Sequence, residues 1–199
     1  MRLDIMEQTG LRTILMKINF RKLLGKKNTL QDLYPEISFV NLPESKNKYP
    51  LFISLESNNI YAYSSRFMIE GNDLLRLLKI IGKYFNEFIT CNKTTLSFNN
   101  KTLHYYQFEE FGQVVVDIIT NEGRLIHDIF SLNMEPPLPN TVFPDRDIES
   151  FGSLQGDLEA WWNIYWHPFW CTLSREEKKH YVEQKNIHEE LKEFLLLHV

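Results

Sequence analysis

Between residues 158 and 173 the chain reads LEAWWNIYWHPFWCTL, and all four of its tryptophans fall within ten residues of that stretch. Leu158, Trp161, Trp162, Tyr165, Trp166, Phe169, Trp170 and Leu173 recur at helical spacing as one unbroken stripe, with Asn163, His167 and Thr172 off it. Six aromatic side chains at about 200 Å² each would hide on the order of 1,200 Å². A stripe of that area does not stay in water, so either the rest of the fold covers it or part of it anchors a partner. Pro168 has no amide donor and its ring presses on the carbonyl of Ile164, which predicts a kink or a restart of the helix there.

What the stripe packs against is written upstream. Short apolar or alternating runs at residues 37–42, 51–55, 60–63, 94–98, 102–108, 112–120 and 124–132 read as strands, about six or seven of them. Ser57-Asn58-Asn59, Asn99-Asn100 and Asn121-Glu122-Gly123 are turn signals, and the paired asparagines between β-formers fit a type I′ hairpin. One helix interrupts this series. Leu74, Leu77, Leu78, Ile81, Tyr84, Phe85 and Phe88 keep the helical period over residues 72–89, with Asn72 or Asp73 as cap and an interior Gly82 that suggests close packing. Residues 11–34 read as a helix, or a helix with a strand, broken at Gly25-Lys26-Lys27-Asn28.

Pro136, Pro137, Pro139 and Pro144 mark residues 133–153 as an extended connector. Beyond it the chain is helical. Ser174 with Glu177, and Asn186 with Glu189, are capping boxes opening two further helices, the first burying Tyr181 and Val182 and the second Ile187, Leu191, Phe194 and Leu195. The predicted class is α+β: an antiparallel β-meander with one inserted amphipathic helix over residues 1–132, then the connector, then an all-helical C-terminal cap over residues 154–199. At 199 residues all of this is expected to share one core.

Charge is unevenly spread. Residues 1–30 carry seven Lys/Arg against two acids, and residues 134–199 carry six against twelve. The acidic half could face a basic partner. Cys91 and Cys171 stand eighty positions apart with no metal-ligand spacing, so a reducing, cytoplasmic setting is expected, with no cofactor and no metal. No apolar run is long enough for a secretion signal or a membrane span, and Met6 and Met16 are possible internal starts.

Three constellations carry chemistry on paper. His167 and Cys171 are four apart, the spacing of a metal pair or a Cys/His nucleophile on a straight helix; Pro168 between them predicts that the geometry is spoiled and the thiol buried. Glu109 and Glu110 are adjacent acids in an aromatic run, so they diverge and read as an exposed turn, and His127-Asp128 would diverge likewise on a strand. Arg12, Lys17, Arg21, Lys22, Lys26 and Lys27, with the strand aromatics, form the only nucleic-acid signal, set against a pI near 5.9. Phosphate-loop, dinucleotide and nucleophile-elbow motifs do not occur in the sequence.

At Trp166 to Tyr181 the pattern W-x-x-F-W-x-x-L-S-x-E-E-K-x-x-Y resembles the helical C-terminal ends of some small bacterial immunity proteins, the antidotes encoded beside secreted polymorphic or contact-dependent toxins. The resemblance covers about a tenth of the chain. It implies a cytoplasmic, non-catalytic protein that neutralises a cognate toxin by direct binding, and it transfers no catalytic residue. With a basic toxin as the partner, the interface residues would be the C-terminal acids Glu176, Glu177, Glu183, Glu189, Glu190 and Glu193. The alternatives are a small hydrolase or nuclease using His167/Cys171 or the Glu109/Glu110 region, and a nucleic-acid-binding accessory protein.

Overall fold

Strand alternation places the core. In the computed structural model, which describes residues 29–39, 41–42, 48–147, 154–185 and 187–197, five antiparallel strands form one sheet: β1 (Ile53–Ser54), β2 (Tyr63–Ile69), β3 (Lys93–Phe98), β4 (Lys101–Glu110) and β5 (Gln113–Thr120), in the order β1-β2-β5-β4-β3. Phe67 is opposite Val116, which is opposite Gln107; one step along, Arg66 is opposite Asp117, which is opposite Tyr106. Phe67, Val116 and Ile118 therefore share one face, and Arg66, Met68, Val115, Asp117 and Ile119 the other. Both faces are buried along β2 and β5, so those strands read as near-continuous apolar runs instead of a clean alternation. The β3–β4 turn holds Asn99 and Asn100 at φ 49° and 62°, the type I′ geometry their sequence predicts.

Among the described residues the helices are α1 (Leu30–Leu33), α2 (Gly71–Phe85), α3 (Gly123–Phe130) and α4 (Pro139–Val142), followed by the tryptophan helix, built of α5 (Asp157–Trp161), a π turn (Trp162–Trp166) and α6 (His167–Trp170); then come α7 (Arg175–Gln184) and α8 (Glu189–Leu197). The architecture is α+β, as the sequence predicts. No helix among the described residues is long and apolar enough to cross a membrane.

Leu77, Ile81 and Phe85 bring α2 into the core. It ends at Asn86, in the left-handed region at φ 53°, so the expected extension to residue 89 does not form, and Phe88 is exposed. The chain turns back there: a Cβ on Gly82 would meet the Phe88 ring at 3.6 Å, which is the close approach that Gly82 suggests. The helix begins after Glu70, without a side-chain cap from Asn72 or Asp73.

Three further expectations are corrected. Residues 124–132 are not a strand: the Glu122 side chain accepts from the Arg124 amide and opens α3, which buries Leu125, Ile126 and Ile129. Residues 37–42 form no strand among the described residues; Glu36–Ser38 is a 3-10 turn with Ile37 exposed. The proline-rich connector is packed, with Met134, Pro136, Pro137, Pro139 and Val142 buried and α4 inside it. The part of the expected N-terminal helix up to residue 28, with its basic residues, the expected cap at Asn186 and residues 148–153 lie outside the described residues.

Along the tryptophan helix the stripe is buried as its spacing requires: Leu158, Trp161, Trp162, Tyr165, Trp166, Phe169 and Trp170 are all inside. The helix changes register just before Pro168, where a π turn ends and a new α-helical turn opens at His167. The His167 amide bonds five residues back, to the carbonyl of Trp162, and this wider turn gives room to a proline ring that would strike the Ile164 carbonyl in a regular α-helix. The insertion also sets the indole register. Trp161 stacks on Trp166, five residues on, at 5.7 Å and 29°, and Trp166 stacks on Trp170, four residues on, at 5.8 Å and 29°. Tyr181 of α7 packs edge-on against Trp166, Phe169 and Trp170, and Phe194 of α8 against Trp162. The two C-terminal helices thus close over the indole stack.

Candidate interaction surface

Tyr181 and Val182 of α7 and Leu191, Phe194 and Leu195 of α8 turn inward, so the outer sides of the two helices are mainly polar and charged, with Leu197 exposed at the end of α8. Ser174 opens α7 with the predicted capping box: its hydroxyl accepts from the Glu177 amide, and its own amide donates to Glu177 Oε2 at 2.7 Å. Those bonds hold the Glu177 carboxyl below its ordinary range. Two cations are drawn away from that side, while Arg175 and Lys179 of α7 stay exposed on it. Lys178 is buried, with Nζ 5.4 Å from the Trp170 ring centroid. Lys185 Nζ pairs with Glu135 at 2.7 Å and lies over the Tyr181 ring.

The six acids expected at the interface are all exposed, but they differ in what already occupies them. Glu177 is committed to the cap, Glu189 pairs with Lys192 at 3.5 Å, and Glu190 pairs with His188. The Glu190 carboxyl is lowered, first by its own backbone amide and then by His188. Glu176, Glu183 and Glu193 make no ion pair among the described residues. Glu176 and Glu183 stand seven apart, two turns along one side of α7.

The other predicted sites come out differently. Glu109 is exposed as expected, but Glu110, at the end of β4, is half-buried and takes a short hydrogen bond from the Tyr165 hydroxyl. Burial first, and then this carboxylate, push the Tyr165 phenol far up. His127 and Asp128 lie on α3, not on a strand. Asp128 accepts from the Tyr84 hydroxyl at 2.8 Å and from Lys83 at 3.0 Å, tying α3 to α2 and lowering its own carboxyl. Cys171 is exposed, not buried, and Pro168 does not spoil its geometry: Sγ lies 3.2 Å from His167 Nε2. No group of three or more His, Cys, Asp or Glu could share a metal ion among the described residues.

Two polar pairs escaped the sequence reading. Arg66 Nε and Nη2 hold the two carboxylate oxygens of Asp117 at 2.7 and 2.8 Å across β2 and β5, with the guanidinium 5.2 Å from the Phe108 ring centroid. The signal was present: each of the apolar runs YSSRFMI and QVVVDIIT carries one charge, of opposite sign. The second pair, Tyr34 with His104, is joined across residues far apart in the chain and had no local signal.

Compared with known proteins, the chain matches no protein-family model, no curated protein and no solved structure.

Proposed function

We propose that this chain is a cytoplasmic binding protein of the immunity type, which neutralises a basic bacterial protein toxin by docking it on the acidic side of α7 and α8. The observation that carries the reading is the excess of exposed acids on α7 and α8, six of them against the exposed cations Arg175 and Lys179. Lys178 and Lys185 are engaged with Trp170, Tyr181 and Glu135, while Glu176, Glu183 and Glu193 stay exposed with no cation of the described chain paired to them. Acids held on rigid helices beside a packed aromatic base can steer a basic partner and fix its register. The hydrolase alternative at Glu109/Glu110 has less support, because Glu110 is engaged by Tyr165 and its neighbour faces the other way.

The test is co-expression with the product of the gene immediately upstream. The expected result is a neighbour that is toxic alone, is silenced by this chain and co-purifies with it. Replacing Glu176, Glu183 and Glu193 by lysine should weaken the complex by about tenfold or more, and added salt should weaken the wild-type complex. A harmless neighbour, or a toxic one that does not bind, removes the proposal.

A further inference from the structure

Cys171 and His167 sit at the C-terminal end of the tryptophan helix, and the geometry points to a thiol-modification site there: Cys171 is a primed nucleophile for small disulfides. The chain supplies its own control. It has two cysteines and both are exposed, but they face different partners. Cys91 Sγ donates to the carbonyl of Lys93 at 3.1 Å, an arrangement that keeps the proton on sulfur. Cys171 Sγ lies 3.2 Å from His167 Nε2 and 3.8 Å from Nδ1, over the imidazole ring, and a turn of that exposed ring brings the Nε2 lone pair onto the thiol, where it takes the proton and leaves the thiolate, the form that attacks.

Local backbone decides how the pair ionises. His167 lies in the last helical turn, where the free carbonyl ends favour a cation. The same ends disfavour an isolated anion at Cys171, the C-cap residue, so the thiolate forms only in contact with the imidazolium. The π turn lets the helix run through Pro168 and so keeps residues 167 and 171 one turn apart, with the Cys171 amide bonded to the His167 carbonyl at 2.9 Å. The step balances: the thiol proton passes to His167 Nε2, Sγ attacks one sulfur of a small disulfide RSSR, a new S–S bond forms and the old one breaks. The second RS⁻ leaves with the electron pair and takes up a proton, so Cys171 is oxidised to a mixed disulfide as one RS unit is reduced to a thiol.

The experiment follows the coloured thiolate released from 5,5′-dithiobis(2-nitrobenzoate) by the full chain with Cys91→Ser or with Cys171→Ser, between roughly pH 6 and pH 8. At neutral pH the Cys171 thiol should react about tenfold faster than the Cys91 thiol, an advantage that widens as pH falls. His167→Gln in the Cys91→Ser background should remove most of that advantage while the near-ultraviolet circular dichroism of the indole stack is unchanged. His167→Asn gives a second reading of the same loss. Equal rates for the two cysteines, no reaction at Cys171, or an advantage that survives both His167 substitutions and so reflects access alone, would overturn the assignment.

Discussion

The Tyr34 hydroxyl lies 2.7 Å from Nδ1 of His104, seventy residues away in the chain, and 2.8 Å from the carbonyl oxygen of Ile119. A carbonyl can only accept, so the single phenolic proton goes to Ile119, and His104 must donate from Nδ1; this tautomer is inferred from the network. The neutral ring is the form that fits. Burial, and to a lesser degree Lys93, push His104 down to about 4.

Acid should therefore loosen the segment that Tyr34 anchors. His104 titrates near 6.5 when unfolded and near 4 when folded, so its contribution is complete above about pH 6.5, is lost as pH falls toward 4, and changes no further below that. The loss should be on the order of 3 kcal/mol. Urea unfolding at several pH values, on wild type and on His104→Gln, isolates the term as the difference between the two slopes. Identical slopes between pH 6.5 and 4 would refute it.

Arg66 and Asp117 predict a different asymmetry. Both are largely buried, at side-chain exposures of 15% and 7%, so removing one partner strands the other charge in the sheet. Arg66→Met alone should cost about 3–5 kcal/mol, whereas Arg66→Met with Asp117→Leu should recover much of that loss. The check is a double-mutant cycle by chemical denaturation. Additive losses would mean that the pair is not coupled.

In the indole stack, shape should matter more than polarity. Nε1 of Trp161, Trp166 and Trp170 is buried with no acceptor among the described residues. Trp166→Phe then gives up no hydrogen bond and should cost about 1–2 kcal/mol, while Trp166→Ala leaves a cavity beneath Tyr181 and should cost about 3–5 kcal/mol. Thermal melts of the two variants test the ordering.

How far the sequence could be read depended on whether one local rule governed a segment. The tryptophan stripe, the Asn99-Asn100 turn and the Ser174 cap each rest on a single short-range signal, and each stands in the structure. Residues 124–132 carry apolar positions that satisfy both periods, and a Glu122 cap decided for helix where Asn121-Glu122-Gly123 suggested a hairpin. At Pro168 the rule against interior proline was right about the clash but blind to the π turn that relieves it, so the proximity of His167 and Cys171 was missed. Tyr34–His104 depends on register between distant segments, which no local pattern encodes.

The outer strand allows a prediction at the level of single amides. The Gln107 amide donates to the Asn92 carbonyl at 2.7 Å, so residues 92 and 107 form a hydrogen-bonded pair. Register carries that parity along the ladder: Thr94 opposite Tyr105 and Leu96 opposite Leu103 point their amides at β4, while Lys93, Thr95 and Ser97 point theirs away from the sheet. Proline at position 95 thus removes an amide that serves no ladder bond, and Thr95→Pro should change stability by no more than about 1 kcal/mol. Thr94→Pro deletes a ladder bond and drives its ring toward β4, at a cost of about 3 kcal/mol or more. Measuring both unfolding free energies decides the matter, since equal losses, or the reverse order, would place the open side of β3 on the wrong amides.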